Sequence, residues 1–173
     1  RGPVYATPGT CDLLRVMLPD AAHLQEEEAR YANRKGYSKH SPALPLYTIE
    51  DAEATLKLLR PVRVGATIEV SKGVMLDFGR VGHILGAGSA RFAFAVNGQK
   101  KILLDSGDLG RYDRPILKDP EPGVAADWLL IESTYGNRIH PKESESELRA
   151  VIKETAAQRR CLIIPAFAIG RTQ

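Results

Sequence analysis

An α/β fold follows from three features of this 173-residue chain. Apolar residues recur at helical spacing near both ends, an alternating pattern fills the middle, and one continuous apolar run lies near the C-terminus. The alternation begins after Pro61 and contains Asn97-Gly98, the dipeptide typical of two-residue hairpin turns. The run CLIIPAF, residues 161–167, has the composition of a parallel strand buried on both faces.

Taken in order, Gly2 to Ala6 reads as a short strand. Thr7 or Thr10 can cap a helix through Leu13, Leu14, Met17 and Leu18, which Pro19 should end. Asp20 then caps a second helix, and Arg34, Lys35 and Gly36 close it with the charge and cap that a helix C-terminus favours. His23 lies one turn before Glu27 there, a spacing that suits a surface pair better than a ligand set. The segment GYSKHSPALPLY, with two prolines and no period, reads as a wrapping loop with His40 exposed in it. Thr48 should cap IEDAEATLKLL, with Asp51 completing a capping box and Pro61 marking the end. VRV, ATIEV, GVMLDF, ARFAFAV and KKILLD are the strands of a meander, followed by ADWLLIEST. The last helix, ESESELRAVIKETAAQRR, gathers Leu148, Val151, Ile152 and Thr155 on one side.

The apolar fraction, 43%, is enough for the core of one ordinary domain. A net charge of +3, from 24 basic and 21 acidic residues, is compatible with a polyanionic partner without demanding one. Cys11 and Cys161 match no metal-binding spacing, so both read as reduced thiols of a cytoplasmic protein. No apolar run approaches the ~18 residues of a membrane span. The opening RGPVYATPGT lacks a Met, and the sequence stops where a strand should give way to a helix, so a piece of a longer protein is expected.

Three segments with chemical potential sit where strands should end: GHILGAGSA with His83, DSGD with Asp108, and IESTYGNR with Glu132. Each has two readings. Asp-Ser-Gly-Asp is ordinary turn chemistry, and it is also a way to hold a carboxylate at the carboxyl edge of a sheet. A single histidine before glycine is commonly structural. Their order, with a hairpin between the first two, allows them to converge on one sheet edge.

Taken together, GHILGAGSA, SGDLGRYDRPIL, IESTYGNR and IPAFAIGRTQ closely resemble the metallo-β-lactamase-fold hydrolases of the β-CASP group, nucleases that process RNA. Residues 4–48 also resemble the helical segment that follows the main metal motif in bacterial members. The resemblance implies part of an αββα sandwich truncated at both ends. Residues 1–140 would belong to the metallo-β-lactamase-like domain and residues 141–173 would open the β-CASP domain. It further implies that His83 ligates one zinc, that Asp108 bridges two, and that Glu132 accepts the N–H of a ligating histidine, so that Asp108 and Glu132 are the catalytic acids. A carboxylate suits bridging because its two oxygens can each bind one cation. Arg111, Arg138 and Arg171, with Arg114, are candidates for contact with RNA phosphates.

Two departures matter. Ala87 stands where relatives commonly have Ser, and the hallmark His-x-His-x-Asp-His motif is absent, the only histidines being His23, His40, His83 and His140. The implied function is zinc-dependent hydrolysis of RNA phosphodiester bonds, exo, endo or both, in a complete protein holding two zinc ions. That protein would need no membrane and is compatible with a homodimer. This chain alone, with few or no zinc ions, is expected to be inactive. The alternatives are a DNA-directed nuclease of the same group and a catalytically silent scaffold that binds RNA or a partner. A small-molecule hydrolase of the same fold should lack ESTYG and PAFAIGR.

Overall fold

The computed structural model describes residues 2–139 and 144–170, in two units, Arg1–Glu132 and Ser133–Gln173. The first unit opens with β1 (Val4–Ala6) and α1 (Pro8–Lys35), continues through α2 (Ile49–Leu56) and β2 (Leu59–Pro61), and then forms a sheet of five strands. The strands are β3 (Thr67–Ser71), β4 (Val74–Arg80), β5 (Gly88–Val96), β6 (Gln99–Asp105) and β7 (Trp128–Leu130).

Thr7 caps α1, Pro8 takes a first-turn position that needs no N–H, and Gly36 closes the helix in the left-handed conformation with its N–H on Ala32 O at 2.8 Å. The expected break at Pro19 does not occur: one helix replaces two, and Asp20 is not a cap. A proline removes one hydrogen bond, whereas the buried residues Cys11, Ala22 and Ala32 lie on both sides of it along one helix side. That common buried side carries the helix through. Glu27 pairs with Arg30 at 2.6 Å rather than with His23, because the guanidinium one turn on reaches it directly. The wrapping loop forms, held by two bonds between the Asn33 side chain and the Ala43 backbone at 2.8 and 2.7 Å.

The capping box of Thr48 and Asp51 is present, but α2 ends at Leu56, short of the expected Leu59. Leu58 O accepts the Val4 N–H, and Leu59–Pro61 pairs in parallel with Val4–Ala6, so backbone pairing takes the last residues of the expected helix. VRV is correspondingly not a strand; Val62 is buried and donates its N–H to Ala6 O. Ala6, Cys11 and Leu59 form the small core here, with Leu14 and Leu56 against it.

The meander forms as expected. Strands β3 to β6 pair antiparallel in sequence order, and Asn97 and Gly98 turn the β5–β6 hairpin with φ of 50° and 75°. Ile68, Leu76, Phe92, Leu103 and Trp128 align across one face, where the Phe94 and Trp128 rings stack at 6.0 Å. On the other face Arg91 grips Asp77 with Nε and Nη2 at 2.7–3.1 Å. The sheet is mixed because β7 runs parallel to β6. Antiparallel alternation up to β6 and this parallel step point the C-terminal ends of β4, β6 and β7 to the same edge.

In the second unit α3 spans Ser144–Ala157, with Leu148, Val151 and Ile152 each close to half exposed. The buried strand expected at CLIIPAF is not formed: residues 161–167 lie in no strand, and Ile163, Ile164 and Phe167 are exposed. A strand is held by a neighbour's ladder, and the described residues of this unit contain none. His140 and Arg171 lie outside the described residues.

Asp127 starts β7. Its carboxylate accepts from Lys101 Nζ and from the Ile102 N–H, both at 2.8 Å, and these bonds hold its pKa below the usual 3.8. A lowered folded pKa contributes stability above 3.8 that is lost as pH falls through the lower value. Asp127→Asn should therefore remove part of the acid limb of the stability curve, seen as a smaller difference between urea midpoints at about pH 6 and about pH 3. An unchanged difference would show that this pairing does not fasten β7.

Candidate functional site

The loop after β4 carries His83, the segment after β6 carries Asp108, and the end of β7 leads to Glu132, so all three lie at one edge of the sheet. They are joined mainly through backbone. Gly110 donates its N–H to Val81 O at 2.7 Å, and its Cα lies so close to the Gly82 carbonyl and the His83 nitrogen that a Cβ would collide with both. Leu109 donates its N–H to Glu132 Oε1 at 2.9 Å. The two residues that follow Asp108 thus bond its segment to the other two, Leu109 to the Glu132 side chain and Gly110 to the backbone beside His83.

Ser106, 6% exposed, fastens the base of this arrangement. Its N–H donates to Leu130 O at 2.9 Å, its hydroxyl donates to Gly107 O at 2.7 Å, and it accepts the Glu132 N–H at 3.1 Å. Asp105 supplies the turn, its Oδ1 accepting the Gly107 N–H at 2.8 Å. The two carboxylates of DSGD therefore divide the work: Asp105 shapes the bend, and Asp108 stays exposed with no bonded side-chain partner among the described residues. His83 is exposed in the same way.

The far side of the His83 loop rests on the start of α1. Gly86 O accepts hydroxyl bonds from Thr7 at 2.6 Å and Thr10 at 2.9 Å, and Gly9 packs on Gly86 with no room for a side chain between. The long connection from β6 to β7 crosses the near side. Glu121 accepts from the Arg80 backbone and guanidinium, each at 3.1 Å, and Lys118 and Pro120 lie against Gly82.

Arg111 is exposed three residues beyond Asp108, and Arg114 is half-buried. Arg138 belongs to the second unit, where its guanidinium lies 5.5 Å over the Tyr135 ring. Sequence reasoning missed Ser106 as a tie between strands and the joint use of Thr7 and Thr10 on Gly86. The signals present were a serine beside a strand-end turn and two threonines one turn apart, and neither names a partner distant in sequence. An imidazole and a carboxylate are donors that suit zinc. Among the described residues, however, no group of three or more His, Cys, Asp or Glu could hold a metal ion.

No protein-family model matches the chain. The chain is 34% identical over its whole length to ribonuclease TTHA0252 of Thermus thermophilus, of which it spans 36%. It is 32% identical over 99% of its length to the transcription termination factor FttA of Methanococcus maripaludis, spanning 26% of that protein. Against cleavage and polyadenylation specificity factor 73 of Drosophila melanogaster the identity is 34% over 74% of the chain and 18% of the relative. The chain thus spans about a third or less of these relatives.

Gly110→Ala should force the His83 and Asp108 segments apart and lower stability by about 1–3 kcal/mol, the usual cost of overpacking. Gly123→Ala, where a Cβ meets open space, should stay within about 0.5 kcal/mol. Thermal unfolding of the two variants compares them, and equal midpoints would contradict the close backbone contact.

Proposed function

Because the chain is homologous over its whole length to β-CASP RNA-processing nucleases and corresponds to a segment of a metallo-β-lactamase-fold protein, we propose that it contributes metal-binding residues to a zinc-dependent ribonuclease. The observation that carries this reading is the meeting of the His83, Asp108 and Glu132 segments at one sheet edge. Nucleases of this group are metal-dependent.

In this reading His83 would ligate one zinc and Asp108 would be shared by two, together with further donors. A zinc pair, when bound, supplies Lewis acidity to the scissile phosphate and acidifies water. Glu132 is a positioning residue. By holding the Leu109 N–H it fixes the backbone that aims Asp108, and precise orientation of a ligand is what neighbouring hydrogen bonds contribute at metal centres. Arg111, Arg138 and Arg171 would bind phosphates. Residues 141–173 would open the β-CASP domain. A DNA substrate or a silent RNA-binding scaffold are the competing outcomes.

Asp108→Ala in the intact protein should lower zinc content and RNA cleavage together while RNA binding persists. Unchanged turnover would remove Asp108 from the chemistry, and cleavage of single-stranded DNA alone would replace RNA as substrate. Glu132→Gln should be milder, with a loss of about 10–100-fold; a larger loss than that of Asp108→Ala would reverse the two roles. Residues 1–173 alone, dialysed against zinc, should hold no tight zinc pair and cut no labelled RNA, since tetrahedral zinc needs three or four donors. Two tightly held zincs with chelator-sensitive cleavage would show that other residues complete the site.

A further inference from the structure

From Ala29 to Ile49 the sequence contains no Asp or Glu, against Arg30, Arg34, Lys35, Lys39 and His40 and three tyrosines. The fold concentrates this stretch at the end of α1 and in the loop bonded back to it by Asn33. Tyr31 and Tyr37 are 46% and 60% exposed, with ring centroids 6.1 Å apart. Arg34 Cζ lies 5.5 Å and Lys35 Nζ 5.8 Å from the Tyr31 ring centre. Arg30 is taken by Glu27, so Arg34, Lys35 and Lys39 are the cations available to a ligand. They outweigh the partial negative charge of the helix C-terminus. Beside them a shallow cavity of about 270 Å³ is lined by Ala32, Tyr37, Ser38 and Leu44, and by Gln25 and Glu28.

We infer that this surface is a platform for single-stranded RNA, separate from the edge that carries His83 and Asp108; the inference rests on reading the substrate as RNA. Exposed aromatic rings interleaved with cations are what binds a strand without sequence preference, since every base offers a face for stacking and every nucleotide a phosphate. The open Tyr37 ring stacks a base, Arg34 and Lys35 meet the backbone, and Glu28 keeps phosphate out of the cavity while accepting from an amino group of a base. Tyr31 lies about 35 Å along the helix from Pro8, whose end of α1 supports the His83 loop. A strand held at both places must span that length.

The test measures binding of a labelled oligouridylate, long enough to span about 35 Å, to the intact protein in chelator, with circular dichroism confirming that each variant is folded. Tyr37→Ala should weaken binding roughly tenfold, and Tyr37→Phe, which keeps the ring, should restore it. Replacing both Arg34 and Lys35 by Ala should reduce the salt dependence of log Kd by about 1.4. Wild-type affinity and salt dependence in these variants would overturn the platform, including the case in which the surface serves a protein partner. If RNA is cleaved and the variants bind it unchanged, only the platform fails. If the intact protein neither binds nor cleaves RNA, the platform and the ribonuclease reading fall together.

Discussion

The candidate site depends on backbone meeting backbone at one sheet edge with no side chain in between. Gly110 lies on Gly82, Gly9 on Gly86, and Gly107 on the carbonyl of Gly88. A methyl group at any of these contacts would separate segments that must touch if His83 and Asp108 are to serve one centre. Glycine is used here for close approach, and Gly82, Gly86 and Gly107 also take left-handed φ of 66°, 84° and 54°.

Around those contacts the fold supplies rigidity from three directions. Strands β4, β6 and β7 end at the same edge because two antiparallel steps and one parallel step return the chain to one direction. Parallel pairing of β6 with β7 requires a long connection, and that connection is itself used, since it crosses the His83 loop and is tied to Arg80. The start of α1 closes the third side through Thr7 and Thr10, whose hydroxyls both reach one carbonyl. A helix cap thereby becomes a brace for a strand-end loop 79 residues away.

Much of this was legible in the sequence where the cause is local. The Asn97-Gly98 hairpin, the Thr48–Asp51 capping box and the strand running out to Asp108 each follow from a few neighbouring residues. The parallel pair β1–β2 was not legible, because three-residue strands carry no period and their partner lies far along the chain. Pro19 misled for a related reason: its local cost is real, but the buried side shared by Cys11 and Ala22 outweighs it. At CLIIPAF composition suggested burial that the second unit does not provide. For the site, residue types and order were readable, and homology over the whole chain to β-CASP ribonucleases bears out the resemblance drawn from them. The glycine contacts that join the three segments were not, since glycine has no side chain to leave a pattern.

The central claim is that the His83 and Asp108 segments meet in order to hold metal. Anomalous diffraction at the zinc edge from crystals of the intact protein tests it most directly. The account predicts two peaks, one within about 2.0–2.1 Å of a His83 ring nitrogen and both within about 2.0–2.2 Å of Asp108 oxygens. Bound zinc that contacts neither residue would contradict it.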